Sequence, residues 1–211
     1  NENPNVLGAI STDIMYENVM EKWAWGNMDN VEHGIYMDEN NRRMVTNIRL
    51  QMSNLAESLL KENQPQKAMA VLDELVRATP KENVPYSRVM MPVAETYLQL
   101  ASNDEVAPTT KGLSVVDREH AWSMALDVTN HFMAMQEDQV AYFTSLDSEY
   151  YVAAERDVQF ALQIGDRLVR VMKYFHATAP ETAELEARLT DMESAVDAYE
   201  RGLSQLVDLG S

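Results

Sequence analysis

Four histidines, His33, His120, His131 and His176, are the imidazoles with which this chain could hold a metal or move a proton, and cysteine is absent. A helix around REHAWSMALDVTNHF brings Asp117, His120, Asp127 and His131 near one face. His120 and His131, however, are eleven residues apart, about 16 Å along the axis, and only Asp127 and His131 have i,i+4 spacing. Two ligands do not make a metal site, so the expectation is a solvated polar face with no metal. A glycosidase needs two carboxylates about 5 to 10 Å apart, but 34 acidic residues supply such pairs anywhere, so MDENN and EDQ carry little signal. No glycine-rich phosphate loop, nucleophile elbow or nucleotide fingerprint occurs. The sequence therefore predicts no catalytic residue and no cofactor; an enzyme reading would test Asp38 and Glu39 first. Trp23, Trp25 and Tyr36 could stack on a sugar, but anchoring the N-terminal segment onto a helical core is the expected role.

Composition sets the elements that must position these residues. With 7 Gly and 7 Pro in 211 residues, and 14 Met beside abundant Ala, Leu and Glu, helices are favoured over a turn-dense sandwich or barrel. Against 34 acidic residues stand 17 basic ones, a formal charge of -17. No Lys/Arg cluster offsets it locally, so nucleic acid and anionic lipid are poor partners. The lack of cysteine suits cytoplasm and periplasm equally. No run of about 18 apolar residues is present, so this chain inserts no helix into a bilayer. It opens NENPNVLGAISTD without an initiator Met, which reads as a piece cut from a longer protein.

Residues 1–11 read as a linker, and 12–48 as a first helix, a loop and the start of the first repeat helix. The first helix follows Thr12, carries Met15, Tyr16, Val19, Met20 and Trp23 on one stripe and ends at Gly26. After the loop WGNMDNVEHGIYMDENN, Asp38 is placed to cap the next helix. That helix presents Met44, Ile48, Met52, Leu55 and Leu59 and breaks at KENQPQ. The following helix, from Pro65, turns Ala68, Val71, Leu72 and Leu75 inward and is stopped by Pro80, which makes an αα-hairpin. Counted back from Pro80, a 34-residue tetratricopeptide unit begins at Arg49. Its expected slots hold Met52, Leu55, Ala56, Leu59, Ala68, Leu72, Leu75 and Pro80, although the signature Trp and Gly are missing. A degenerate second copy has Ala94 and Tyr97, then Ala121, Ala125 and Val128; the two copies fill 49–136, with an insertion at 102–116.

Residues 137–206 read as two long helices packed on the repeats. One spans 148–176, with Val158, Ala161, Leu162, Leu168, Val169, Met172 and Phe175 on a stripe and a Gly165 that implies a close neighbour. After ATAPE, where Thr178 and Glu181 have capping-box spacing, Leu185, Leu189, Met192, Val196, Tyr199, Leu203 and Leu206 form a heptad seam. The seam packs on the preceding helix or, alternatively, on a second subunit, the route by which an oligomer is possible. The expected fold is all-α: tetratricopeptide-like helical hairpins in an α-α superhelix, with long C-terminal helices.

In such a superhelix the first helix of each pair lines a groove. Here that face holds Ser53, Asn54, Glu57 and Lys61, then Arg88, Met91, Glu95 and Gln99, a strip suited to an extended peptide. The function expected is non-catalytic binding of a protein or peptide partner, or of the rest of a longer membrane protein. The alternative is a structural dimerisation or packing module with no ligand.

The stretches TDIMYENVMEKWAWGNMDN, GIYMDENNRRM, the hairpin ending in ATP, ENVPYSRVMMPVAETYL and AYFTSLDSEYYVAAERDVQFALQIGDRLV carry a resemblance. Together they resemble the C-terminal soluble region of a family of large multi-spanning membrane proteins of certain Gram-negative bacteria, whose membrane part is similar to protein O-mannosyltransferases. The resemblance runs from about residue 12 to 203, with WGNM, YMDENN and NVPY as its most specific motifs. It implies a tail on the periplasmic side of the inner membrane, tethered by preceding transmembrane helices. Catalytic residues would lie in that membrane part, so none carries over to this chain. The 102–116 insertion and the long acidic C-terminal helix depart from the family pattern.

Overall fold

The structure, a computed structural model, describes residues 11–32 and 34–209, and only the backbone at 148, 149, 152, 153 and 206–209. The linker read over 1–11 lies outside it except for Ser11, as do His33 and the side chain of Leu206. Among the described residues there are α-helices and no strand. The helices are α1 (Thr12–Glu17), α2 (Glu39–Lys61), α3 (Pro65–Ala78), α4 (Met91–Ala101), α5 (Val115–Thr144), α6 (Ser148–His176) and α7 (Pro180–Leu209). The chain is all-α. None of the described helices is long and apolar enough to cross a membrane. Two compact units, Asn1–Leu126 and Asp127–Ser211, divide inside α5.

The hairpin of the first unit is made by its turn. Asp38 caps α2 by accepting the Asn41 N–H at 2.8 Å. At the other end Asn63 takes a left-handed conformation (φ 57), while Gln64 N–H donates to Leu59 O and Asn63 N–H to Leu60 O, both at 2.9 Å. That pair of bonds is a Schellman motif, and Pro65 then starts α3 at its first position, where no N–H is needed. The chain reverses over three residues, so α3 packs along α2, and α4 packs on both. Met52, Leu55, Ala56, Leu59, Ala68, Leu72 and Leu75 are all fully buried.

Three expectations fail at the N-terminal side. Met44 is 62% exposed, and Val45 and Arg49 are buried in its stead. At about 100° per residue, Val45 lies about 20° from the direction of Met52 and Met44 about 80°. The first helix ends at Lys22 rather than Gly26, because a π-turn over Asn18–Lys22 runs into extended backbone at Trp23. Val19 is buried, but Tyr36 is 90% exposed and anchors nothing onto the core. Trp23 is also exposed at 37%, meeting the half-buried Trp25 edge-on at 5.6 Å between ring centres.

In the second unit α6 and α7 pack together. Leu185, Leu189, Met192 and Val196 are buried within the chain, Tyr199 and Leu203 are half-buried, and Tyr199 donates to Leu146 O. The seam is thus filled in cis, which removes those four residues from any dimer face. The expected Thr178–Glu181 capping box does not start α7. Pro180 occupies its first turn, which puts Ala179 at the cap, and Thr182 Oγ1 instead donates to His176 O at 2.7 Å.

Gly165 has the close neighbour its position implied: a Cβ there would lie 2.9 Å from Leu189 Cδ1, 3.6 Å from Met192 Cε and 3.8 Å from Met133 Sδ. Gly165→Leu should therefore destabilise the second unit by about 2 kcal/mol through overpacking, although leucine is the better helix former by about 1 kcal/mol. An unchanged or raised urea midpoint for this variant would show that the approach is not tight.

Candidate functional site

The eight groove residues do not form one exposed strip. Ser53 is fully buried with an unpaired hydroxyl, and Met91 is buried. The reason is that α2 presents a wide face to both α3 and α4, and Ser53 lies on it about 20° from the direction of Leu60 and about 60° from that of Ala56, both buried. Gln99 is half-buried and donates from Nε2 to Thr109 Oγ1 at 3.0 Å, which ties α4 to the insertion. Asn54, Glu57 and Glu95 are half-buried, and Lys61 and Arg88 are exposed. Lys61 Nζ stands 4.0 Å from Glu57 Oε2. Six of the eight thus remain exposed or half-buried, and Gln99 is engaged with Thr109.

The densest polar arrangement in the first unit is built on a residue that the apolar stripe left out. Arg49 is fully buried, and no carboxylate is among its hydrogen-bond acceptors. Its Nε donates to Thr79 Oγ1 at 3.0 Å, Nη1 to Pro85 O at 3.1 Å, and Nη2 to Thr79 O at 2.6 Å and Val84 O at 2.7 Å. The guanidinium also lies 5.2 Å from the Tyr86 ring centre. Burial pushes it down to about 10, and Tyr86 partly opposes that.

Asn83 works on the same segment from its other side. Its Nδ2 donates to Met28 O at 2.8 Å and Asn30 O at 3.0 Å, and its Oδ1 accepts the Ile35 N–H at 3.2 Å. Arg77 bonds Asp29 at 2.7 Å and forks onto Glu74 with two 2.7 Å bonds. The Arg77 hydrogen bond holds Glu74 below the usual carboxylate range. Beneath lie Met37, Val45 and Val84, with Met28 and Ile35 packed against them. WGNM, YMDENN and NVPY, far apart in sequence, therefore meet in one place and fold the loop after α1 over the end of α3.

A second polar chain links three helices. Tyr97 on α4, fully buried, donates to Asp73 Oδ1 on α3 at 2.7 Å, and His120 Nε2 on α5 lies 2.9 Å from the same oxygen. Burial first, then the Asp73 charge, pushes the Tyr97 phenol well above the ordinary tyrosine value. A raised phenol contributes stability that is complete below about pH 10 and is lost as pH rises from there through the folded-state value. Tyr97→Phe should accordingly cost about 1 kcal/mol at pH 8 and flatten the alkaline loss, read as urea midpoints at pH 8 and about 10.5. An equally steep alkaline loss in the variant would move that loss to another group.

Asp117, a metal candidate in the sequence, caps α5. Ser114 donates to its Oδ2 from N–H at 3.0 Å and O–H at 2.8 Å, and Asp117 N–H returns to Ser114 Oγ at 3.1 Å. The insertion is folded: Thr110 is buried, and Arg118 donates to its Oγ1 and O, both at 3.1 Å, and pairs with Asp104. Asp117 and His120 belong to the first unit, Asp127 and His131 to the second. Among the described residues no group of three or more His, Asp or Glu could hold a metal. What Asp73 can do is orient one partly exposed imidazole. No family model, curated protein or solved structure matches the chain.

Sequence reasoning missed Asp73, Asn83 and the burial of Arg49. Arg49 had a usable signal, since steps of four and three connect Val45, Arg49 and Met52. Asn83 had none beyond its place in NVPY.

Proposed function

We propose that this chain is a non-catalytic protein-interaction module, built of tetratricopeptide-like helical hairpins and binding a partner or polypeptide substrate. The observation that carries the reading is the α2–α3 hairpin, seven of whose eight repeat slots are filled by fully buried residues, with Ala56 and Ala68 letting the helices approach. The way WGNM, YMDENN and NVPY are consumed in holding a loop supports it further, because those motifs then specify a scaffold rather than a reacting centre. By resemblance, the module is the periplasmic tail of a membrane glycosyltransferase-like protein. A seam-mediated dimerisation module has less support, since the seam is covered within the chain.

An antibody raised to this domain tests the reading in the native cell. The expected result is a band far heavier than 23.9 kDa that stays in the membrane fraction through carbonate extraction. A soluble band near that mass would overturn the tethered-tail part. In the purified domain, Asn54→Ala with Arg88→Ala should weaken capture of the parent's membrane part or its substrate without moving the melting temperature. Full affinity in that double variant would remove the groove.

A further inference from the structure

The insertion at 102–116, which a strict two-helix repeat lacks, is folded back onto the repeat. Its turn Pro108–Thr110 packs on α2, and Thr109 Oγ1 accepts from Gln99 Nε2 on α4 at 3.0 Å. One short turn therefore touches both helices that a peptide groove would use. Ala107, Thr110 and Leu113 are buried at steps of three, the period of a 3₁₀ turn, while 103–106, Pro108 and Lys111 are exposed. Local bonds shape the segment: Asn103 Oδ1 accepts the N–H groups of Glu105 and Val106 at 3.1 and 3.0 Å, and Thr110 Oγ1 donates to Ala107 O at 2.7 Å. Outward bonds dock it. Besides Gln99, Gln66 Nε2 on α3 donates to Gly112 O at 3.1 Å, and Arg118 on α5 holds Asp104 and both oxygens of Thr110. An ion pair as exposed as Arg118–Asp104 on its acidic side adds about 1 kcal/mol or less. With two apolar side chains inward, against seven fully buried positions in the α2–α3 hairpin, the segment has far less apolar anchoring than the hairpin and opens at a lower free energy.

We propose that the insertion is an internal occupant of the α2–α4 face, and that a partner polypeptide binds by replacing it with a turn of the same chemistry, an inference that rests on the interaction-module reading above. That chemistry is an acid, a small apolar residue, a proline and two threonines in the spacing of Asp104 to Thr110. In the partner the acid meets Arg118, whose planar donors suit a carboxylate. The first threonine accepts from Gln99 and the second from Arg118, as Thr109 and Thr110 do now. The proline fixes its own φ before binding, which lowers the ordering cost of the turn. Because the present occupant is covalently attached, it competes at an effective concentration on the order of millimolar. The apparent affinity for a free segment therefore falls by the fraction of chains in which the face is open.

The test adds a fluorescent peptide of residues 102–114, SNDEVAPTTKGLS, to the full chain. In Asp104→Asn/Thr109→Ala the internal occupant is weakened while Gln66, Gln99 and Arg118 stay in place, so the peptide should bind about tenfold or more tighter than to wild type. A second variant, with 104–112 replaced by a Gly/Ser run of the same length, should bind at least as tightly as the first. Unfolding midpoints check that both variants fold. The peptide carrying Asp104→Asn, Thr109→Ala and Thr110→Ala should lose about tenfold or more in affinity. A purely structural insertion predicts otherwise: the variants lose stability and gain no binding. That outcome overturns the proposal, as does no binding at millimolar peptide, equal binding by wild type and variants, or equal binding of the substituted peptide. The Asn54→Ala/Arg88→Ala test of the module uses neither this peptide nor the insertion, so failure of the occupant and failure of the module are read separately.

Discussion

Arg49→Met should destabilise the first unit by about 3 kcal/mol or more, lowering its urea midpoint by more than about 1 M. Two opposing terms act on the buried guanidinium. Pushing the guanidinium down to about 10 by burial corresponds to a cost of about 3 kcal/mol. That cost is present at all ordinary pH values and is relieved only as pH rises above about 10. Against it stand four hydrogen bonds from a charged donor, each worth about 1.5 kcal/mol or more, so the bonds win. Methionine removes the cost but leaves the carbonyls of Thr79 and Val84 without their guanidinium donor, and a buried orphan costs about 1 to 3 kcal/mol. Arg49→Lys should recover only a fraction, because one ammonium cannot span acceptors arranged for a planar fork. An unfolding free energy for Arg49→Met within about 0.5 kcal/mol of wild type, the scatter of ordinary surface substitutions, would mean that the loop is held without it.

The same residue shows what could be read from the sequence and what could not. Elements whose ends have local causes were legible: Asp38 as a cap, Pro65 as a start, and α6 over 148–176. So was the tight approach at Gly165, because a glycine inside a helical stripe has few other reasons to be there. The phase of α2 was not legible at its first turns. Its buried line there runs through an arginine, and a reading that expects apolar residues inward passes to Met44 and Ile48 instead. Long-range polar partners were equally hidden. Asn83 meets residues 28, 30 and 35, and Asp73 meets Tyr97 and His120, through tertiary packing that no local period encodes. Two residues of the groove strip, Ser53 and Met91, were misplaced for a related reason. A two-helix repeat pattern assigns one face to the partner helix and leaves another open, whereas α2 contacts both α3 and α4 and buries Ser53.

Val196→Glu and Leu189→Glu should each unfold the second unit rather than release a folded monomer. Val196 is 1% exposed and Leu189 is 7% exposed within the single chain, Leu189 standing against Gly165. A carboxylate at either position loses its hydration, and an unpaired buried charge costs several kcal/mol. Part of that penalty is avoided by keeping the group protonated, so helix content in these variants should recover partly as the pH falls toward 5. Far-ultraviolet circular dichroism and light scattering on the same samples read both quantities. A seam reserved for a second subunit predicts the opposite pattern: a concentration-dependent dimer in the wild type, and a monomer with full helix content in the variants. Finding that pattern would reverse the assignment of the seam to intrachain packing. Loss of helix with no dimer in the wild type leaves α7 as the cover for α6.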